Sequence, residues 1–180
     1  MVSDEVLIQC FRNGDEVAFV NLYNRYKNAI YVFSIKMLRD KDDAKDIVQG
    51  VFLKLYEHVN QLMHPEDFKS WLFAIARNDC LTYLRKAKRS SDLPDEMEDF
   101  KSELPHEGVA RDDEIRLINT AIDRLKPDLK EVIVLREYDN LSYKEIAEVI
   151  GATENIVKSR LFTARQRLYD MLKPVFVERD

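Results

Sequence analysis

The last third of the chain contains a short polar motif and then a run of bases, a pattern typical of a DNA-binding element. The tetrapeptide SYKE at 142–145 has the spacing of a capping box, with serine and glutamate each accepting the other's backbone amide. It predicts a helix that begins at the tyrosine. Gly151 follows where the chain must turn, and Thr153 can cap a second helix. With a small residue at Ala147 and a β-branched one at Val157, the spacing favours a helix-turn-helix.

The outer face of this second helix is polar and basic. Its N-terminal residues would face base edges in a major groove, and its arginines would bind phosphates. The alternative is a helical hairpin whose basic face contacts only solvent. The capping box, the glycine turn and the one-sided charge together favour DNA binding. The residues of this face and its flanks are Asn155, Lys158, Ser159, Phe162, Arg160, Arg165 and Arg167.

A second basic segment lies upstream at 68–89, where six lysines and arginines face one acid. Its sequence, FKSWLFAIARNDCLTYLRKAKR, interleaves these cations with aromatic residues. Aromatic rings and cations together suit the binding of unstacked, single-stranded bases. The alternative is structural, because Trp71, Leu72 and Ile75 also have the spacing of a hydrophobic core. The residues alone leave both interpretations open.

Between the two basic segments the chain is strongly acidic. Residues 90–114 carry ten acids against two bases, so the net charge of −5 conceals two cationic surfaces and the spacer between them. From 90 to 113 the helical periodicity is lost, and the stretch contains two prolines and a glycine. This composition predicts a flexible linker without a core of its own.

Elsewhere the apolar residues recur at helical spacing, and no stretch alternates convincingly as a strand would. Four glycines and five prolines are too few for the many turns of an all-β protein. The sequence therefore predicts an all-α fold, with two small helical domains joined by the flexible acidic linker. The clearest periodic face in the N-terminal half is formed by Phe19, Leu22, Tyr23, Tyr26, Ile30, Phe33 and Met37.

Several classes of protein are disfavoured. No apolar run approaches the roughly 20 residues of a membrane span, and MVSDEVLIQC lacks the features of a signal peptide, so we expect a cytoplasmic chain. Cys10 and Cys80 form no CxxC pair, and His58, His64 and His106 share no metal-ligand spacing. Because no catalytic triad, phosphate loop or metal cluster is visible, we expect neither enzymatic activity nor a cofactor.

Three blocks of this sequence resemble the signature blocks of the bacterial extracytoplasmic-function (ECF) RNA polymerase sigma factors. They are DDAKDIVQGVFLKLYEHV at 42–59, the basic segment at 68–89, and the block at 121–168 that contains SYKEIAEVIG and VKSRLFTARQRL. They occur in the family's order and with its spacing. The resemblance implies a sigma factor that binds core polymerase and directs promoter recognition, DNA melting and transcription initiation.

The resemblance also implies a division of labour. Region 2, at about residues 5–89, would dock on core polymerase and melt the −10 element, and region 4, at about 112–175, would recognise the −35 element. The loop at 60–70 would capture a flipped-out base of the non-template strand. The acidic linker, at about 90–111, would thread toward the polymerase cleft. The implied partners are the β′ clamp helices and β flap of core polymerase, promoter DNA and an anti-sigma factor, with no small-molecule substrate and no membrane insertion.

Matching positions carry the implied contacts residue by residue. For docking on core polymerase they are Asp43, Asp46, Ile47, Val48, Gln49 and Phe52. For the −10 element they are Lys69, Trp71, Arg77, Asn78 and Arg85. For the −35 element they are Thr153, Glu154, Asn155, Lys158, Ser159, Arg160 and Arg165.

The chain departs from the family pattern at two places, and two other classes of protein share its C-terminal motif. Gly50 stands where the family usually has an acid, which removes a charge and weakens a helix, and Lys126 is inserted before Pro127. One rival is a stand-alone helix-turn-helix regulator, which would bind a palindrome as a homodimer without polymerase. The other is a DNA recombinase or other nucleic-acid enzyme, which would need a catalytic domain that the sequence does not predict.

Overall fold

The computed structural model describes residues 2–90 and 111–177, with side chains at 2–88 and 114–174. Within these ranges it contains eight α-helices, two short 3₁₀ turns (Val59–Gln61 and Pro65–Asp67) and no strand, so the predicted all-α fold is confirmed. The acidic stretch at 91–110 lies outside the described residues. The helices are α1 (Asp4–Arg12), α2 (Glu16–Leu38), α3 (Lys41–His58), α4 (Phe68–Ser90), α5 (Arg111–Asp123), α6 (Pro127–Glu137), α7 (Tyr143–Ile150) and α8 (Glu154–Val177).

Helices α1–α4 form an N-terminal unit whose boundaries follow from local side-chain chemistry. Asp15 caps α2, accepting the amide of Val17 at 2.9 Å. Helix α2 ends at Arg39, whose φ of 62° is left-handed, and Asp40 then caps α3. Because the chain reverses at Arg39 and Asp40, α2 and α3 pack side by side as an antiparallel pair.

The core of the N-terminal unit is aromatic. Phe33 and Phe73 meet edge to face with ring centroids 5.9 Å apart, and Tyr26 and Phe68 do the same at 5.5 Å. Phe68 and Phe73 have no exposed surface, whereas Trp71 is half-buried and stacks on Phe68. The structure therefore favours the core interpretation for two of the aromatic residues in the basic segment.

Helices α5–α8 form a C-terminal unit that contains the expected helix-turn-helix. Both hydrogen bonds of the capping box are present, at 3.2 Å to the Ser142 hydroxyl and 2.6 Å to the Glu145 carboxylate. Gly151 has a φ of 66°, a conformation that glycine adopts without steric cost and that ends α7. Thr153 then caps α8 by accepting the amide of Ile156. The inner face of α8 is buried at Val157, Leu161 and Ala164.

The two units pack directly on one another. Helix α7 lies along α4, α6 contacts α2, and the buried apolar residues of both units form one continuous cluster. The basic helix α4 is thus covered along part of its length by the first helix of the helix-turn-helix. No described helix combines the length and apolarity that crossing a membrane requires.

Candidate nucleic-acid and polymerase interfaces

Helix α3 presents only some of the residues expected to contact core polymerase. Asp46 and Gln49 are exposed, and Asp43 and Val48 are half-buried. Ile47 and Phe52 are buried in the core of the N-terminal unit. Ile47 therefore positions the helix by packing, and Phe52 packs in the core while also lining the groove between α2 and α3. The other four residues form the accessible face of the helix.

An apolar groove of about 630 Å³ runs between α2 and α3 beside this face. Exposed Leu53 and Tyr56 line it, and Lys27 and Lys45 supply charge. The sequence analysis did not assign these residues to polymerase contact, although the helical spacing places Leu53 and Tyr56 outside the buried face of α3. Apolar residues on an outer face are the signal that could have found them. The remaining lining residues are Phe19, Tyr23, Asn28, Tyr31, Val48, Gln49 and Phe52.

Gly50 lies on α3 next to α4, and its surroundings leave room for a side chain. Within the part of the chain that the structure describes, a Cβ atom there would meet only Asp79 Oδ2, at 3.9 Å, an ordinary contact distance. Asp79 itself accepts a hydrogen bond from Lys54 at 2.5 Å. The glycine therefore costs helix propensity without a steric reason in this unit.

The residues expected to contact the −10 element divide into two groups. Asn78 and Arg85 are exposed, and among the described residues Arg85 bonds only within its own helix. Lys69 and Arg77 instead contact the C-terminal unit, whereas Trp71 packs against the apolar cluster. The five residues therefore all lie on α4, but their described side chains do not form a single exposed cationic face.

The loop at 60–70 carries two features that the sequence analysis missed. Met63 is 83% exposed, which is unusual for a large apolar side chain. His64, Glu66 and Asp67 place their ligand atoms within 4.8 Å of one another, although the histidine spacing predicted no such group. A backbone hydrogen bond and His64 hold the pKa of Glu66 below its usual value.

Helix α8 exposes most of the residues expected to contact the −35 element. Glu154, Asn155, Lys158 and Ser159 lie on its open N-terminal face, and Thr153 is exposed at the cap. Arg165 is exposed and pairs with Glu137 at 2.8 Å. Arg160 turns inward and bonds Glu131 at 3.1 Å.

The open face of α8 also carries aromatic residues beyond the assigned contacts. Phe162 is 71% exposed, and it lines a shallow pocket of about 550 Å³ with Tyr143 and Tyr169. Lys158, Arg165 and Gln166 complete the lining. The sequence analysis placed Phe162 on this face but assigned it no contact, and it did not predict the pocket that Phe162 forms with Tyr143 and Tyr169.

One carboxyl group near the contact between the units has a perturbed pKa. Burial raises the pKa of Asp139 to about 7, although the nearby ammonium of Lys69 opposes the shift. Its Oδ2 atom is buried and, among the described residues, has no hydrogen-bond partner. Burial likewise lowers the pKa of Lys36 and of Lys130, with Asp123 opposing both shifts.

Comparison with known proteins agrees with this geometry. Residues 22–90 match the family described as "Sigma-70 region 2" and residues 115–168 match "Sigma-70, region 4". The ECF RNA polymerase sigma-E factor of Escherichia coli K12 is 32% identical, over 97% of this chain and 96% of that protein. The sigma factor SigM of Bacillus subtilis is 32% identical over 82% of this chain and 90% of its own length.

The chain belongs to the ECF family of RNA polymerase sigma factors, as its sequence blocks had indicated. The RNA polymerase sigma-H factor of Pseudomonas aeruginosa is 28% identical over 97% of this chain and 96% of that protein. Among solved structures, RpoE of Bartonella quintana, in complex with the anti-sigma factor NepR, has a TM-score of 0.69 at 27% identity over 86% of this chain and 96% of that one. CnrH, in complex with the cytosolic domain of CnrY, shares the fold, with a TM-score of 0.72 at 24% identity over 95% of this chain and 97% of that one.

Proposed function

We propose that this chain binds core RNA polymerase and directs it to promoters, where it recognises DNA and initiates transcription. The observation that carries this proposal is the pairing, in one ECF-family chain, of a helix-turn-helix with an apolar groove on a separate helical unit. A DNA-binding unit alone explains the first feature but not the second. We assign region 2 to residues 5–89, region 4 to 112–175 and the acidic linker to 90–111.

The helix-turn-helix would contact the −35 element through the open face of α8. Lys158 can donate to guanine or to a phosphate, and Asn155 has the amide that pairs with adenine. Glu154 and Ser159 can accept or donate at neighbouring bases. Each unit alone would bind DNA weakly, and the polymerase scaffold would raise their effective concentration at correctly spaced elements.

The N-terminal unit would open the −10 element by binding unstacked bases. The cations of α4 would hold the strand, and the loop at 60–70 would receive the flipped base. Exposed Met63 offers an apolar surface there. Unstacking costs a few kcal/mol per base, which contacts with the strand must offset.

Core polymerase would dock on the accessible face of α3 and the adjoining groove. The β′ clamp helices are the expected partner of Asp43, Asp46, Val48 and Gln49, and the β flap is the expected partner of the C-terminal unit. An anti-sigma factor is the expected regulator, because the structurally similar RpoE of Bartonella quintana was solved in complex with one. We further propose that the chain is cytoplasmic and catalyses no reaction.

A pull-down with purified core polymerase tests the docking proposal. We expect the tagged wild type to retain core polymerase and Leu53→Glu to lose it, because the new charge lies in the apolar groove. Val20→Glu is the matched control, since Val20 is a similarly exposed apolar residue of α2 that does not line the groove. Failure of the wild type to bind core, together with tight dimeric binding to a duplex, would favour the stand-alone regulator.

A further inference from the structure

The cations on one side of the N-terminal unit each meet an acceptor of the C-terminal unit. Lys36 donates to Asn119 and also lies 4.8 Å from the Tyr138 ring centroid. Lys69 donates to the backbone carbonyl of Asp139 at 3.0 Å. The contact between the units is therefore polar and charge-complementary as well as apolar.

Two arginines extend this complementarity along the same side. Arg39 pairs with Asp123 at 3.4 Å. Arg77 donates to both carboxylate oxygens of Glu131, at 2.7 and 3.3 Å. The acceptors on the C-terminal unit thus contact cations of α2 and α4, including two that are expected to hold the −10 strand. The Glu131 carboxylate accepts from Arg77 the pair of hydrogen bonds with which an arginine also binds a phosphate.

Glu131 is the centre of the arrangement. Its side chain is only 3% exposed, and the same carboxylate also accepts a hydrogen bond from Arg160 of α8 at 3.1 Å. One acid therefore binds one arginine from each of the two assigned DNA-contacting sets. Because a buried charge is stable only when it is paired, Glu131 and its arginines depend on each other.

We propose that Glu131 is a latch that holds the two units closed and keeps Arg77 and Arg160 from DNA. Arg77 is 18% exposed and directs its Nε and Nη2 donors to Glu131, so a strand phosphate must displace this carboxylate to form the same two-bond pair. Closure and strand binding therefore compete, and the affinity for DNA scales with the fraction of open chain. The latch rests on the proposed role of α4 in strand binding.

The test compares Glu131→Gln with Glu137→Gln in the full chain. Both acids belong to α6, but Glu137 pairs with Arg165 on the surface of its own unit. The probes are the anisotropy of a short fluorescein-labelled single strand of mixed sequence and single-molecule energy transfer between dyes on the two units. We expect Glu131→Gln to raise strand affinity and the open population by about tenfold or more. Glu137→Gln makes the same change of charge and releases Arg165 but leaves the contact between the units intact, so it should not change the open population and should raise strand affinity much less than Glu131→Gln does.

A second variant covers the case in which Glu131→Gln does not fold. Lys36→Glu places an acid opposite Asp123 and Tyr138 at the partly exposed margin of the contact, so it should open the chain by repulsion. If neither variant changes energy transfer, Glu131 is not a latch. If both open the chain but strand affinity stays constant, the masking fails, and with it the assignment of α4 to DNA. If the same variants still bind core polymerase in the pull-down, the docking proposal holds even though the latch proposal fails.

Discussion

The buried carboxyl of Asp139 gives the folded chain a pH-dependent stability whose sign follows from the structure. An aspartate has a reference pKa of 3.8, whereas burial raises the pKa of Asp139 to about 7 in the fold. Between these values the folded state binds more protons than the unfolded state, so the free energy of unfolding falls as pH rises. The stabilisation is complete below pH 3.8 and is lost as pH passes through about 7.

The size of this effect can be worked from the two pKa values. Integrated from pH 6 to pH 8, the difference in bound protons between the folded and unfolded states is equivalent to a shift of about one pKa unit. This shift lowers the unfolding free energy by about 1.4 kcal/mol. This range stays above the sequence pI of 5.4, where net charge favours solubility.

Urea unfolding of the wild type and Asp139→Asn at both pH values measures the effect. The asparagine variant cannot ionise at this position. From pH 6 to pH 8 the unfolding free energy of the wild type should therefore fall by about 1.4 kcal/mol more than that of the variant. Contributions from the histidines and from other groups cancel in the difference between the two proteins. Equal pH dependence of both proteins would show that Asp139 is solvated and would refute the reasoning.

The remaining predictions concern local structure and DNA contact. Gly50→Ala should stabilise the chain by up to about 1 kcal/mol in thermal unfolding, whereas Gly151→Ala should destabilise it because its φ is positive. Ser142→Ala should cost about 1 kcal/mol by removing the cap of α7, and Ser159→Ala on the open face should not; equal losses would remove the capping argument. Lys158→Ala should weaken binding to a duplex that contains the −35 element, measured by titration at several salt concentrations. It should also reduce the slope of log K against log salt concentration by about 1, and an unchanged slope would place Lys158 away from phosphate.

The parts of the fold that the sequence could predict are those fixed by short-range chemistry. The capping box and Gly151 involve residues three or four positions apart, so their spacing specifies the geometry directly. The predicted helix and the turn before it also placed Asn155 and Lys158 on the exposed face of α8.

The parts that the sequence could not predict depend on contacts between distant residues. Arg77 and Glu131 are 54 positions apart, and nothing in either segment specifies that they meet. Arg160 was assigned to the DNA-facing side from its neighbours, yet its long side chain reaches inward to the same acid. Ile47 and Phe52 have the spacing of a contact surface and of a core face alike, and only packing distinguishes them.

Run-off transcription with purified core polymerase, the chain and a library of promoter sequences tests the central claim most directly. We predict transcripts that start at discrete positions downstream of shared −35 and −10 sequences, that are absent with core polymerase alone and that are lost with Leu53→Glu. Transcription that does not depend on the added chain, or promoter binding by a dimer of the isolated chain that Leu53→Glu leaves intact, would contradict it.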